Sequence, residues 1–133
     1  MLRSMQVKDY MSKNLVTLGP DMEILRAVHT LITSDISGAP VLDEHGRLVG
    51  ILTERDCMRV VMQADYHGVP GGLVRDHMSA SPQSVEPGES ILNLAQLFIN
   101  GRFHRYPVVD NGRLVGVISR RDVMRAMAKH YPL

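Results

Sequence analysis

The sequence predicts a mixed α/β (α+β) fold of two β-α-β-β-α repeats, related by a pseudo-twofold axis and packed as one domain. Three observations predict it. Shifting the 133-residue chain by 67 positions lays it on itself. A tight-turn signal falls at the same place in both halves, and the segment before each turn carries apolar residues at helical spacing.

The repeat opens with Val7-Lys-Asp-Tyr-Met11-Ser12 on Val74-Arg-Asp-His-Met78-Ser79. Pro20, Ile24, Leu25, Ile32, Pro40, Val41 and Asp43 then meet Pro87, Ile91, Leu92, Ile99, Pro107, Val108 and Asp110. After a one-residue deletion, Gly46-Arg-Leu-Val-Gly50 meets Gly112-Arg-Leu-Val-Gly116, and Arg55, Asp56, Met58 and Arg59 meet Arg121, Asp122, Met124 and Arg125. Composition alone would give only a few such identities, so the halves are copies.

Each copy begins with a short strand. Ile24, Leu25, Val28, Leu31 and Ile32, like Ile91, Leu92, Ala95, Phe98 and Ile99, form one apolar helix face. Each helix follows a Pro, and Asp21 is the expected N-cap of the first. The deletion separates Val41-Leu-Asp-Glu-His-Gly46 from Val108-Val-Asp-Asn-Gly112, and Asp-Asn-Gly between apolar residues reads as a hairpin turn. Thr53 and Ser119 precede second helices expected to run to about Gln63 and Lys129. Gly68, Pro70, Gly71 and Gly72 mark a linker. The expected division is therefore repeat 1 at 6–63, linker at 64–73 and repeat 2 at 74–130. A single two-helix unit of ~55 residues would be marginal, so the halves are expected to pack face to face.

Composition narrows the function. The chain is 44% hydrophobic and 22% charged with net charge +1, which excludes a disordered tail and disfavours nucleic-acid binding. Its lone cysteine, Cys57, cannot form an intramolecular disulfide. With no apolar stretch of signal-peptide or membrane-span length, the expected location is the cytoplasm, with no membrane partner. Cys57 reads as a small core residue, since Val123 takes its place in the other repeat. The six histidines are scattered without ligand spacing, so five of them read as solvated or structural and no metal site is expected. Met11, Met58, Met62, Met78, Met124 and Met127 read as fillers of the core or of a dimer seam.

The ordered motifs Val-x-Asp-x-Met-Ser, apolar helix, Pro-Val-x-Asp and Gly-Arg-Leu-Val-Gly-x-hydrophobic-[Ser/Thr]-x-x-Asp resemble the cystathionine β-synthase (CBS) domain. Two copies in tandem resemble a Bateman module. The resemblance runs from about Gln6 to Met127 and leaves almost no chain for a separate effector domain. It implies a regulatory protein that binds adenosine-containing ligands (AMP, ADP, ATP or S-adenosylmethionine) in clefts between the repeats, forms a homodimer and signals to an effector protein of unknown identity. No catalytic cofactor is implied.

Carried over residue by residue, the resemblance implies two crossed sites. The first takes Val16, Thr17, Ser37, Gly38, Ala39 and Pro40 from one repeat with Ile118, Ser119, Arg120, Arg121 and Asp122 from the other. The second takes Ser84, Val85, Phe103, His104, Arg105, Tyr106 and Pro107 with Ile51, Thr53, Glu54, Arg55 and Asp56. Asp56 or Asp122 would accept ribose hydroxyls, helix starts at Thr53 and Ser119 would offer unpaired N–H groups to phosphate, and Arg105 would supply charge. His104-Arg105 makes the second site the stronger for anions, while the first would rely on Arg120 and Arg121.

Plainer readings stand beside these. Thr53-x-x-Asp56 and Ser119-x-x-Asp122 also read as capping boxes, and Gly50 and Gly116 admit either a ligand, another backbone or a bulge. No nucleophile with a base, paired carboxylates or metal triad recurs, which argues against an enzyme. The alternative function is a structural dimerisation module with vestigial sites. The expected seam is Val28, Leu31, Met58, Met62, Leu97 and Met124.

Overall fold

The computed structural model describes residues 2–68 and 71–133, which fall into two compact units, 16–82 and 1–15 with 83–133. Pro70 of the expected linker and the side chain of His67 lie outside the described residues.

In residues 16–82, α1 (Ile24–Thr33) precedes the hairpin of β1 (Gly38–Leu42) and β2 (Leu48–Thr53). Next come α2 (Glu54–His67), the one-turn α3 (Val74–His77) and β3 (Ser79–Ala80). β1 and β2 pair antiparallel with Gly38 opposite Thr53, and β3 adds to the other edge of β2 with Ser79 opposite Ile51. The expected opening strand is reduced to a parallel bridge, where the Leu18 N–H donates to Pro40 O and the Leu42 N–H to Leu18 O, each at 2.9 Å. Ile24, Ala27 and Leu31 of α1 bury against Val41, Leu52, Cys57 and Val60, with Val74 closing the cluster.

Residues 83–133 repeat this plan with α4 (Ile91–Asn100), β4 (Arg105–Asp110), β5 (Arg113–Ser119) and α5 (Arg120–His130). Asn111 and Gly112, at φ 50° and 80°, form the expected hairpin turn, which needs both residues left-handed. The N-terminal segment completes this unit. Its 3-10 turn Val7–Asp9 donates from Val7 N–H to Glu89 O at 2.9 Å, Ile91 N–H donates to Met5 O at 2.8 Å, and Ser12 and Val117 exchange both backbone bonds. Val7 joins Ile91, Leu94, Phe98, Tyr106 and Ile118 in the core.

The compact units therefore do not coincide with the sequence repeats. The arm that opens repeat 1 completes the body of repeat 2, and Val74–Ala80, which opens repeat 2, completes the body of repeat 1. The glycine after each Gly-Arg-Leu-Val run makes the seat. A methyl group on Gly116 would lie 2.5 Å from Met11 Sδ and 3.0 Å from Ser12 O, and one on Gly50 would meet Met78 and Ser79 O the same way.

Three expectations need correction. Asp21 is not the N-cap of α1. The helix starts after Glu23, whose side chain makes no cap bond, while Asp21 pairs with Arg75 of the incoming arm. α2 continues past Gln63 to His67, so Ala64–His67 is helical. Gly68, at φ 86°, ends it as a left-handed cap. Leu31, expected in a dimer seam, is 4% exposed and belongs to the core. It lies on the buried side of a stripe wide enough to leave Leu25 and Ile32 outside.

Candidate functional site

Each unit brings its pre-proline strand against its own helix start. In residues 16–82, Gly38 lies opposite Thr53, and Glu54 N–H donates to Ser37 O at 2.9 Å. In residues 83–133, Arg105 lies opposite Ser119, and Arg120 N–H donates to His104 O at 3.1 Å. The strand bond explains why a helix can begin immediately after β2 and β5.

Thr53 and Ser119 close capping boxes. Thr53 N–H and Oγ1–H donate to Asp56 Oδ2 at 2.8 and 3.0 Å, and Asp56 N–H returns to Thr53 Oγ1 at 3.3 Å. Ser119 and Asp122 match at 2.8, 3.0 and 3.2 Å. The second oxygen of each acid, Oδ1, accepts from the mostly exposed Arg59 or Arg125 one turn on. Asp56 and Asp122 are the buried charged side chains among the described residues, 4% and 6% exposed. The capping reading is thus present in the structure. The expectation of unpaired N–H groups at both starts is corrected, since the first and third N–H groups of α2 and α5 already have protein acceptors.

Ala39, Pro40, Tyr106, Pro107, Ile51 and Ile118 are buried as strand residues, and Val85 is buried beside Val108. Gly38 is buried, Val16, Ser37, Thr53, Ser119, Phe103 and Arg105 are half-buried, and Thr17, Ser84, His104, Glu54, Arg55 and Arg121 are exposed. The exposed Arg120 also lines a groove of about 470 Å³ between α4 and α5 with Ala95, Phe98, Ile99, Gly101 and Val123. Beneath it, burial pushes the Tyr106 phenol up despite the Arg120 charge, and Tyr106 packs on Phe98 and Phe103. Sequence reasoning missed this groove; its signal was the pair of small residues, Ala95 and Gly101, where the other repeat has Val28 and Ser34.

Burial also pushes the Cys57 thiol up, with the Asp56 and Glu54 carboxylates adding to the shift, which marks it as inert. Among the described residues, no cluster of His, Cys, Asp or Glu could hold a metal ion, and no helix is long and apolar enough to cross a membrane.

Known proteins share this architecture. The solved structure of CBSX2 from Arabidopsis thaliana is 28% identical, covers 97% of this chain and 98% of its own, and superposes with a TM-score of 0.86. CBSX2 has also been solved in complex with AMP, with a TM-score of 0.85. The CBS domain pair of MJ0100, solved with 5-methylthioadenosine and S-adenosyl-L-methionine, is 28% identical over 94% of this chain and 97% of its own, with a TM-score of 0.82. An inosine-5'-monophosphate dehydrogenase of Methanocaldococcus jannaschii is 32% identical over 90% of this chain. The protein MJ1225 of the same organism is 29% identical over 94%. This chain spans only 23% and 44% of the lengths of those two relatives. The CBS domain itself matches at residues 7–63 and again at 74–129. Because those two matches take up most of the chain and follow the duplicated motifs, this protein belongs to the CBS domain family and carries two CBS repeats in tandem.

Proposed function

We propose that this protein is a regulatory CBS pair that binds an adenosine-containing nucleotide and passes the binding event to a partner protein, without catalysing a reaction. The observation that carries the reading is the likeness, over 96% of the chain, to a CBS pair solved with AMP. The expected residue sets above, each drawn from both repeats, are the proposed sites, with Arg120 and Arg121 serving phosphate in the first.

The carboxylates suit a ribose. Oδ2 of Asp56 and of Asp122 holds the helix start, whereas Oδ1 holds an exposed arginine. Arg59 and Arg125 are mostly exposed, so each can turn to solvent and leave Oδ1 to a ribose hydroxyl while Oδ2 keeps the cap.

The proposed assembly is a homodimer, because the helices leave Ile32, Met58, Met62, Ile99, Met124 and Met127 more than half exposed. The proposed location is the cytoplasm, which the single buried and unpaired cysteine fits.

The test is to denature protein purified without added ligand and identify released nucleotide by mass spectrometry. Ligand-free protein is then titrated calorimetrically with AMP, ATP, S-adenosylmethionine and GMP. Adenosine compounds should give saturable heat that GMP does not. Neither release nor heat with any adenosine compound would leave the structural dimerisation module as the better reading.

A further inference from the structure

We infer that Arg59 and Arg125 compete with the ligand at the two proposed nucleotide sites: each guanidinium holds the aspartate oxygen that a vicinal diol needs, so a ribose is bound only by releasing an arginine. The inference rests on the ribose role proposed for Asp56 and Asp122. It adds which groups oppose that binding and set its strength.

The carboxylates are nearly filled before any ligand arrives. A carboxylate oxygen has room for about two hydrogen bonds. Oδ2 of Asp56 takes both from Thr53, N–H at 2.8 Å and Oγ1–H at 3.0 Å, and Oδ2 of Asp122 takes both from Ser119 at the same distances. Among the described residues Oδ1 takes one, from the Arg59 or the Arg125 guanidinium. One place is left on each acid. A single sugar hydroxyl fits that place beside the arginine, whereas two neighbouring hydroxyls need both places on Oδ1 and put the arginine out.

The pair is built to open from one side. The aspartate side chains are 4% and 8% exposed, the arginine side chains 63% and 65%. A charge that deep needs a partner, because leaving it unpaired is costly, and the donors of a diol can take over that part. A side chain as exposed as the arginine gives up little when it turns to water. Its motion leaves the acid, the capping box and the helix start where they are. The arrangement also occurs twice. Asp-x-Met-Arg stands at 56–59 in α2 and at 122–125 in α5, and both copies close the same bond, each within its own unit. Each binding event thus ends with a hydroxyl pair on the acid and a free guanidinium on the helix.

Calorimetric titration of the full chain with AMP and with 2′-deoxy-AMP tests this on wild type, Arg59→Met and Arg125→Met. Methionine keeps a long, helix-forming side chain and removes the guanidinium. Arg59→Met reads the Asp56 site and Arg125→Met the Asp122 site. The variant of an occupied site should bind AMP about threefold more tightly than wild type, because it has no ion pair to break. It should bind 2′-deoxy-AMP with unchanged affinity, since the one ring hydroxyl of that ligand does not displace the arginine. Both ligands carry the same phosphate, so a change in overall charge moves them together and cannot imitate the result. Urea unfolding is the second readout. Without nucleotide the same variant should have an unfolding constant about threefold higher than wild type, and at saturating AMP it should match wild type. No binding of AMP by wild type overturns the nucleotide reading and this inference together. AMP binding that neither substitution tightens, that tightens equally for 2′-deoxy-AMP, or whose variant keeps its stability deficit at saturation leaves the nucleotide reading in place and overturns the competition.

Discussion

Replacing Gly116 with alanine puts a methyl group where the N-terminal arm is seated. Its Cβ would lie 2.5 Å from Met11 Sδ, 2.9 Å from Met11 Cγ and 3.0 Å from Ser12 O. The sulfur can swing aside, but Ser12 O accepts from Val117 N–H at 3.0 Å and Ser12 N–H donates to Val117 O at 2.9 Å, so the backbone cannot yield without breaking that pair. Overpacking of this kind costs ~1–3 kcal/mol, or a fall in Tm of roughly 4 °C per kcal/mol for a chain of this size. Met11→Ala empties the half-buried site and should cost ~1–2 kcal/mol on its own. The double variant Gly116→Ala/Met11→Ala should lose less than the sum by about 1 kcal/mol, because the new methyl fills space the sulfur has left. The rest of the Gly116→Ala cost should remain, since Ser12 O has not moved. Gly19→Ala, with nothing within 4 Å, is the control and should be nearly neutral. Urea unfolding of the four proteins decides it. If Gly116→Ala is as stable as wild type, or if the two changes add without coupling, the arm is not held against that glycine.

Other outcomes follow from the same geometry. Ser119→Ala removes the acceptor of Asp122 N–H and should lower stability by ~1 kcal/mol in urea unfolding. Asp56→Asn and Arg105→Ala should each weaken nucleotide affinity about tenfold by calorimetry, and their double variant should lose less than the sum; Asp122→Asn with Arg105→Ala should be additive. Coupling of Arg105 to Asp122 instead would reverse the crossed assignment. Cys57 should react with a disulfide reagent at about pH 8 at least ~100-fold more slowly in native protein than in denaturant. Its raised pKa adds stability that is present below the ordinary thiol range and lost as pH rises above that range and through the raised value. Unfolding midpoints measured from neutral to alkaline pH should show that loss, reduced in Cys57→Ala. Saturating adenosine nucleotide at about a hundredfold excess over Kd should raise stability by ~2.7 kcal/mol, read as a rise in Tm.

The elements were legible because the duplication states each of them twice. The Asn111-Gly112 turn, the α1 and α4 helices and the two capping boxes each have a local chemical cause, and a local cause can be read from neighbouring residues. The exchange of arms could not be. Val7-x-Asp-x-Met-Ser and Val74-x-Asp-x-Met-Ser share their motif residues, so the motif alone does not say which body each arm completes. Asp21 misled for a related reason. The helix starts after Glu23, two residues beyond Asp21, and the Asp21 carboxylate pairs with Arg75, far along the chain. Periodicity placed Leu25, Leu31 and Ile32 on one face correctly but could not say which flank of a wide stripe is buried. At the candidate site, the aspartates were found from their motif, while the bond each already makes to an arginine one turn on required the structure.

The exchanged arms also determine how the chain can be divided. A cut in the glycine-rich stretch between the repeats, where composition invites one, would give a first fragment whose Gly50 seat is bare and whose own arm belongs to the fragment removed. Neither half would be whole, and each would carry the piece the other lacks. Two such fragments, mixed, have reason to find each other. A chain caught with one arm unseated could accept the same arm from a neighbour, so the duplication that makes the sequence easy to read also leaves open a route to swapped assemblies.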